Sequence, residues 1–208
     1  MLMARLKEET RSAHTRLERD PLSRGMVGAE LSPRYYRSVL EVYYGLYAPM
    51  EARLIAAADW SAADFDIARR LKSPMLRADL AHLGLDAHEI DGLPRCDLIP
   101  WVPDLPAALG CMYVLEGATL GGQLIARHVQ AVLGYGPACG AAFFNSYGPA
   151  VGPLWNEFKA LVERHGAGHE DAVIAAASAM FACLERWFYE SYHTFAAAAP
   201  ARRGAAAR

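Results

Sequence analysis

No uninterrupted apolar run in these 208 residues reaches the roughly 18 to 20 that a membrane-spanning helix needs, so no membrane partner is expected. The opening segment MLMARLKEETR is charged from Arg5 onward and lacks the apolar core of a secretion signal, which makes a cytoplasmic protein the expectation. Cysteine is sparse. Cys96, Cys111, Cys139 and Cys183 include no C-x-x-C pair, which excludes a zinc knuckle and a dense disulfide framework and leaves four reduced thiols as the expectation. Charge of one sign is also missing: a net charge of -2 gives no drive toward nucleic acid, and none is expected as a partner. Alternating runs of β-branched residues bounded by turn signals do not occur either, so a sheet is not expected.

What is present is helical periodicity, in a chain whose 53% hydrophobic and 21% charged residues suit a single folded core. The expectation is an all-α domain over residues 1–198, followed by a low-complexity, flexible tail, APARRGAAAR, over 199–208. A first helix runs from Ala4 to Arg19, where Pro21 helps to stop it. A second starts after Ser32-Pro33, with serine as cap and proline in the first turn, reaches Ala58 and is bent by Pro49. A third is expected from Ser61 to Leu83, with an interruption at Ser73-Pro74, and Asp86 to Pro103 reads as the longest loop. Helices from Asp104 to Leu133, Gly152 to Arg164 and Glu170 to Ala198 complete the pattern, the last of them strongly amphipathic.

Two segments stand apart. In LKEETRSAHTRLE, His14 and Glu18 are four residues apart and share a helix face. A metal-ligating imidazole needs its second ring nitrogen oriented by a partner, and a carboxylate one turn away can be that partner. Lys7 and Arg11 lie seven and three residues before His14, close enough to the same face to meet an anionic ligand edge. Spacing alone favours an ordinary solvated helix, since histidine and glutamate pair in this way on many surfaces.

The second segment, YVLEGATLGGQLIARH, places Gly117, Gly121 and Gly122 inside a helical pattern, at a cost of about 1 kcal/mol each relative to alanine. Close approach of the backbone to a flat ligand, with a kink, would offset that cost. So would tight packing of one helix on another, and the spacing does not separate the two.

Both segments together resemble the proximal and distal helices of the haem oxygenase family. LKEETRSAHTRLE is similar to the proximal L-K-E-x-T-x-x-x-H-x-x-x-E pattern, and YVLEGATLGGQ to the distal G-x-x-x-G-G-Q pattern, about a hundred residues later. YYRSVLEVYYGLYAPMEARL and FFNSYGPAVGPLWNEFKAL resemble further parts of the same family, so the likeness extends from about Leu6 to Leu161. The resemblance implies haem b as both cofactor and substrate. It is cleaved with O2 and external electrons, from a ferredoxin or a reductase, to biliverdin, carbon monoxide and ferrous iron. It further implies His14 as the iron ligand, Glu18 as its partner, Lys7, Arg11 and Lys159 as propionate contacts, and Gly117, Gly121 and Gly122 against the face where oxygen binds. A downstream biliverdin acceptor such as a phytochrome is an implied partner.

One position departs from the animal-type pattern: the aspartate that follows the first distal glycine there is Ala118 here, and a methyl group cannot hold a water. Thr119, Gln123 or a backbone carbonyl is expected to take over, whereas Glu116 precedes the glycine and is expected to face away. That gap motivates a different class, a haem carrier that keeps the pocket without the chemistry. A helical di-iron oxidase is a third reading, since Glu190 and His193 form one Glu-x-x-His unit, but such a site needs two units and two more glutamates. Among the other histidines, His82, His88, His165 and His169 are expected in solvent, and His128 is the alternative ligand, turned away from the glycine face. Tyr43, Tyr44 and Tyr47 are expected in the core.

Overall fold

Leu2, Leu6 and Thr10, spaced by four, are the buried positions of the first helix, α1 (Leu2–Arg19). The computed structural model of the protein describes residues 1–29 and 31–198, apart from the side chains of 195–198, so the tail expected over 199–208 lies outside the described residues. Leu2 N and Met3 N donate to the Glu163 carboxylate at 3.0 Å each, satisfying two of the amides that a helix start leaves open. Pro21 ends α1 but also opens a short α2 (Pro21–Gly25), because the Asp20 side chain accepts from Leu22 N at 2.8 Å and proline suits a first helical turn. The long α3 (Pro33–Ala57) begins at the expected cap, Ser32, and runs through Pro49.

The helix expected from Ser61 to Leu83 is a correction. Asp59 accepts from Ser61 N, Ser61 Oγ and Ala62 N, and Trp60 Nε1 donates to Leu54 O, so local turn chemistry claims the segment before a helix can nucleate. Only a 3₁₀ turn (Ile67–Arg70) precedes α4 (Ser73–His82), which starts at the interruption the sequence marks. The expected loop likewise contains α5 (Ala87–Asp91), closed by a reciprocal box between Asp86 and Glu89.

The centre is α6 (Leu105–Leu133), capped by Asp104 and stopped at Gly134 with φ +76°. Its helical pattern passes through all three distal glycines without a break. The short α7 (Ala142–Asn145), a 3₁₀ turn (Gly148–Ala150), α8 (Val151–His165) and α9 (Glu170–Ala198) follow. Asp79 of α4 holds α7 in place by accepting from Ala142 N and Phe143 N at 2.8 Å. No sheet forms among the described residues.

Across the core, α6 meets α9 at Gly110, where a Cβ would lie 2.1 Å from Val173 O and 2.8 Å from the Ala176 Cβ. This is the backbone-to-backbone contact that small residues permit, and it occurs at a glycine the sequence reading passed over. Glu170–Thr194 of α9 is long and apolar enough to cross a membrane by length and composition alone, although Glu185, Arg186 and Glu190 interrupt its apolar residues. Half of the most apolar 18-residue part of that stretch is buried inside the fold, as in the core helix of a helical bundle. All four cysteines are free, with Cys96 Sγ and Cys183 Sγ 3.8 Å apart.

Candidate functional site

Between α1 and α6 the packing opens. Two adjoining cavities of ≈ 420 Å³ and ≈ 540 Å³ share His14, Tyr43, Tyr47, Gly117 and Ala118 in their walls, so they are two lobes of one cleft. Lys7, Arg11, Trp155, Phe181 and Phe188 line the first lobe. Glu18, Lys72, Gly121, Gly122, Phe143 and Phe144 line the second.

His14 stands on the α1 wall with 61% of its side chain exposed, and its ring meets Phe181 edge-on at 6.2 Å. Its Nδ1 lies 3.6 Å from Glu18 Oε1, an ion-pair distance longer than a hydrogen bond. Nε2 is thereby left for a ligand. Lys7 and Arg11 reach the first lobe from the same helix. Arg11 pairs with Glu8, whereas Lys7 has no ion-pair partner among the described residues. Lys159 does not join them: it is half-buried on α8 and lines neither lobe.

The opposite wall resolves the two explanations of the glycines, one residue at a time. A Cβ on Gly121 would meet nothing within 4 Å, and one on Gly117 would only touch Trp155 at 3.8 Å. These two are not packing glycines. Gly122 is one, since its Cβ would sit 3.0 Å from the Phe144 carbonyl oxygen. Along this wall, Thr119 Oγ1 donates to Glu116 O at 2.7 Å and Gln123 Nε2 to Asn145 O at 2.8 Å. Both side chains expected to replace the missing carboxylate at Ala118 are thus occupied with the backbone.

Tyr47 is in the core, as expected, and Tyr43 packs against it, but both also line the two lobes from α3, and neither hydroxyl has a hydrogen-bond partner among the described residues. Burial holds both phenols above their usual range, so they are neutral donors. Their i, i+4 spacing was the available signal, obscured by Tyr44 between them. That residue turns the other way, under the Arg95 guanidinium.

Behind the glycine wall lies a buried charge cluster that sequence reasoning missed altogether. Glu116 faces away from the cleft, as expected, and both its oxygens are engaged: Oε2 by Arg70 at 2.8 Å, Oε1 by Lys72 Nζ at 2.9 Å and by the Tyr147 hydroxyl at 2.7 Å. Lys72 also donates to Arg70 O and Tyr147 Oη, and Arg70 reaches Glu157. Burial lowers the Lys72 pKa, with Glu116 opposing the shift.

The remaining candidates lie elsewhere. His128 Nε2 is 3.2 Å from Gly28 O and lines neither lobe. Glu190 and His193 are exposed, Glu190 pairs with Arg186, and no group of three metal-ligating side chains occurs among the described residues.

The architecture is thus an all-helical bundle with a cleft between two helices, one wall carrying an accessible imidazole and the other two glycines without packing neighbours. Comparison with family models gives the particular family: the Heme oxygenase model matches residues 1–190, and the chain belongs to the haem oxygenase family. Similar solved structures include the NO- and CO-bound heme oxygenase of Neisseria meningitidis, with a TM-score of 0.74, 20% identity and coverage of 93% of this chain and 92% of that one. Another is heme oxygenase-1 of the cyanobacterium Synechocystis sp. PCC6803 in complex with heme, with a TM-score of 0.73, 15% identity and 95% coverage of both chains. At these identities the likeness is one of fold. Comparison with the curated proteins finds no match.

Proposed function

We propose that this protein is a haem oxygenase, binding haem b between α1 and α6 and cleaving it to biliverdin, carbon monoxide and ferrous iron with O2 and electrons from an external donor. The observation that carries the reading is the opposition of His14 to Gly117 and Gly121, whose missing side chains leave open space in place of packing. The residues fit the group: a flat macrocycle needs an apolar slot, one nitrogen ligand and cations at one edge, and the cleft offers Phe181 and Phe188, His14, and Lys7 with Arg11. When bound, haem supplies the iron at which oxygen is reduced and the carbon that is oxidised.

The chain's own contribution is positional. Nε2 of His14 ligates from one side while Glu18 orients Nδ1. Lys7 and Arg11 set the rotation of the macrocycle through its propionates, and Lys159 is at most an outer contact. Gly117 and Gly121, which carry no side chains, would admit the other face of the ligand close to the backbone.

A trade-off at one glycine follows. Gly121→Ala is expected to stabilise the haem-free protein by up to about 1 kcal/mol, because its methyl meets nothing and alanine favours the helix. The same methyl intrudes on the haem, so haem affinity falls. Gly122→Ala should instead destabilise by about 1 kcal/mol through its contact with Phe144 O. Urea unfolding and haem titration of the two variants read both effects, and equal behaviour would contradict the assignment.

The reading itself is tested by supplying reductant in air, with catalase, to the haem-loaded protein. An oxygenase loses its Soret band as biliverdin appears. A carrier, the alternative that Ala118 favours, keeps its haem intact.

A further inference from the structure

The second lobe of the cleft is walled in part by an element that cannot stand alone. α7 is four residues long, a single turn, with too few internal hydrogen bonds to hold its own shape. It closes at Ser146 with φ +49°, a left-handed backbone that costs energy for any residue with a side chain. The Ser146 hydroxyl is buried there without a partner among the described residues. Yet α7 carries Phe143 and Phe144, both buried, which line the second lobe and meet the Tyr43 ring at 5.0 and 5.6 Å. Apolar contacts of this kind are non-directional, so they do not fix where the two rings stand.

Directional contacts do. At one end of α7 the Asp79 carboxylate accepts from Ala142 N through Oδ1 and from Phe143 N through Oδ2, both at 2.8 Å. At the other end Gln123 Nε2 donates to Asn145 O at 2.8 Å. Between them the Phe144 carbonyl lies against Gly122, where a Cβ would stand 3.0 Å from its oxygen. Gln123 and Gly122 belong to the glycine-bearing helix, whereas Asp79 belongs to α4, none of whose residues lines either lobe. Asp79 is the costly member of the set, because it is 2% exposed and a buried carboxylate must be fully hydrogen-bonded to be tolerated. Asparagine in its place would avoid the charge but offer one acceptor oxygen where two amides need one each.

We propose that Asp79 is a positioning residue of the cleft: it holds α7 in a fixed place beside the glycine wall, so that Phe143 and Phe144 form a rigid stop that sets how deep a flat ligand sits. The inference rests on the haem oxygenase reading and extends it to the end of the ligand away from the cations. Lys7 and Arg11 line only the first lobe, so the anionic edge of the macrocycle belongs there and its apolar edge runs toward the two phenylalanines. One edge is held by charge and the other by the stop. Asp79 itself lines neither lobe and acts through α7 alone.

The test compares the full chain as parent, Asp79→Asn, Gln123→Met and Leu76→Val. Asparagine keeps the shape of the aspartate, and Gln123→Met, which releases the other end of α7 at a half-buried position, serves if Asp79→Asn does not fold. Leu76→Val is the control, a core change on α4 that removes no hydrogen bond. Amide exchange of the haem-free protein is read at Asn145 and Ser146, whose own bonds run to Ala141 O and Ala142 O. Both amides should exchange about tenfold faster or more in Asp79→Asn and Gln123→Met, and within about threefold of the parent in Leu76→Val. Haem affinity should fall about tenfold in the first two variants and stay at the parent value in the control. The proton spectrum of their cyanide-ligated ferric complexes should show haem-methyl signals absent from the parent, because a ligand without its stop sits in more than one way. Parent-like exchange at Asn145 and Ser146 would overturn the proposal, as would faster exchange with parent-like affinity and signals, or equal losses in Leu76→Val. A parent protein that binds haem without making bilin defeats the oxygenase reading, while these readouts still judge Asp79. One that binds no haem defeats both.

Discussion

His14→Ala is expected to weaken haem binding by roughly 100-fold, about 2.7 kcal/mol, and to abolish the spectral signature of imidazole ligation. The cleft offers no substitute: His128 lies at the Gly28 carbonyl, outside both lobes, and His82, His88 and His169 are on the exposed surface. The apolar walls that remain, with Phe181, Phe188 and the two tyrosines, should hold residual haem without a protein ligand, so added imidazole should restore the signature. Glu18→Gln should cost less, about tenfold, because it alters the partner of Nδ1 and leaves the ligand in place. Haem titration of the variants followed in the Soret region decides the matter. Parent-like affinity and ligation in His14→Ala would remove His14 from the site.

Glu116→Ala is expected to produce the largest loss of stability, about 3–5 kcal/mol, seen as a lower urea midpoint. Removing this carboxylate leaves the Lys72 ammonium buried without a counter-charge and takes one of two carboxylates from Arg70, both side chains being 3% exposed. Because Glu157 still engages Arg70 from the surface, the greater part of the loss falls on Lys72, and Glu116→Ala with Lys72→Met together should recover part of it. A change below about 1 kcal/mol would mean that water already screens the pair.

Much of this was legible in the sequence, for identifiable reasons. Helices with strong caps, at Ser32 and Asp104, and with long apolar periodicity, as in α6 and α9, appear within a residue or two of their expected bounds. His14, Glu18, Lys7 and Arg11 come together because residues three, four and seven apart share a helix face wherever that helix packs. Sequence spacing failed where contacts are long-range. Nothing in the order of residues pairs Lys72 with Glu116, 44 positions apart, or brings Tyr147 to both. The same cluster accounts for the misread third helix: the backbone from Ile67 to Lys72 is spent on carrying two cations inward, and the Glu51 carboxylate, not a local cap, meets Lys72 N and Ser73 N at the start of α4. The three distal glycines looked alike in sequence and differ in space, because only Gly122 has a neighbouring backbone, that of Phe144, against it.

The central claim, that the α1–α6 cleft holds haem on His14, is tested most directly by a crystal structure of the ferric haem complex. The account predicts the iron about 2.0–2.2 Å from His14 Nε2, with the opposite haem face against Gly117 and Gly121. Haem ligated by another residue, or seated outside this cleft, would contradict it.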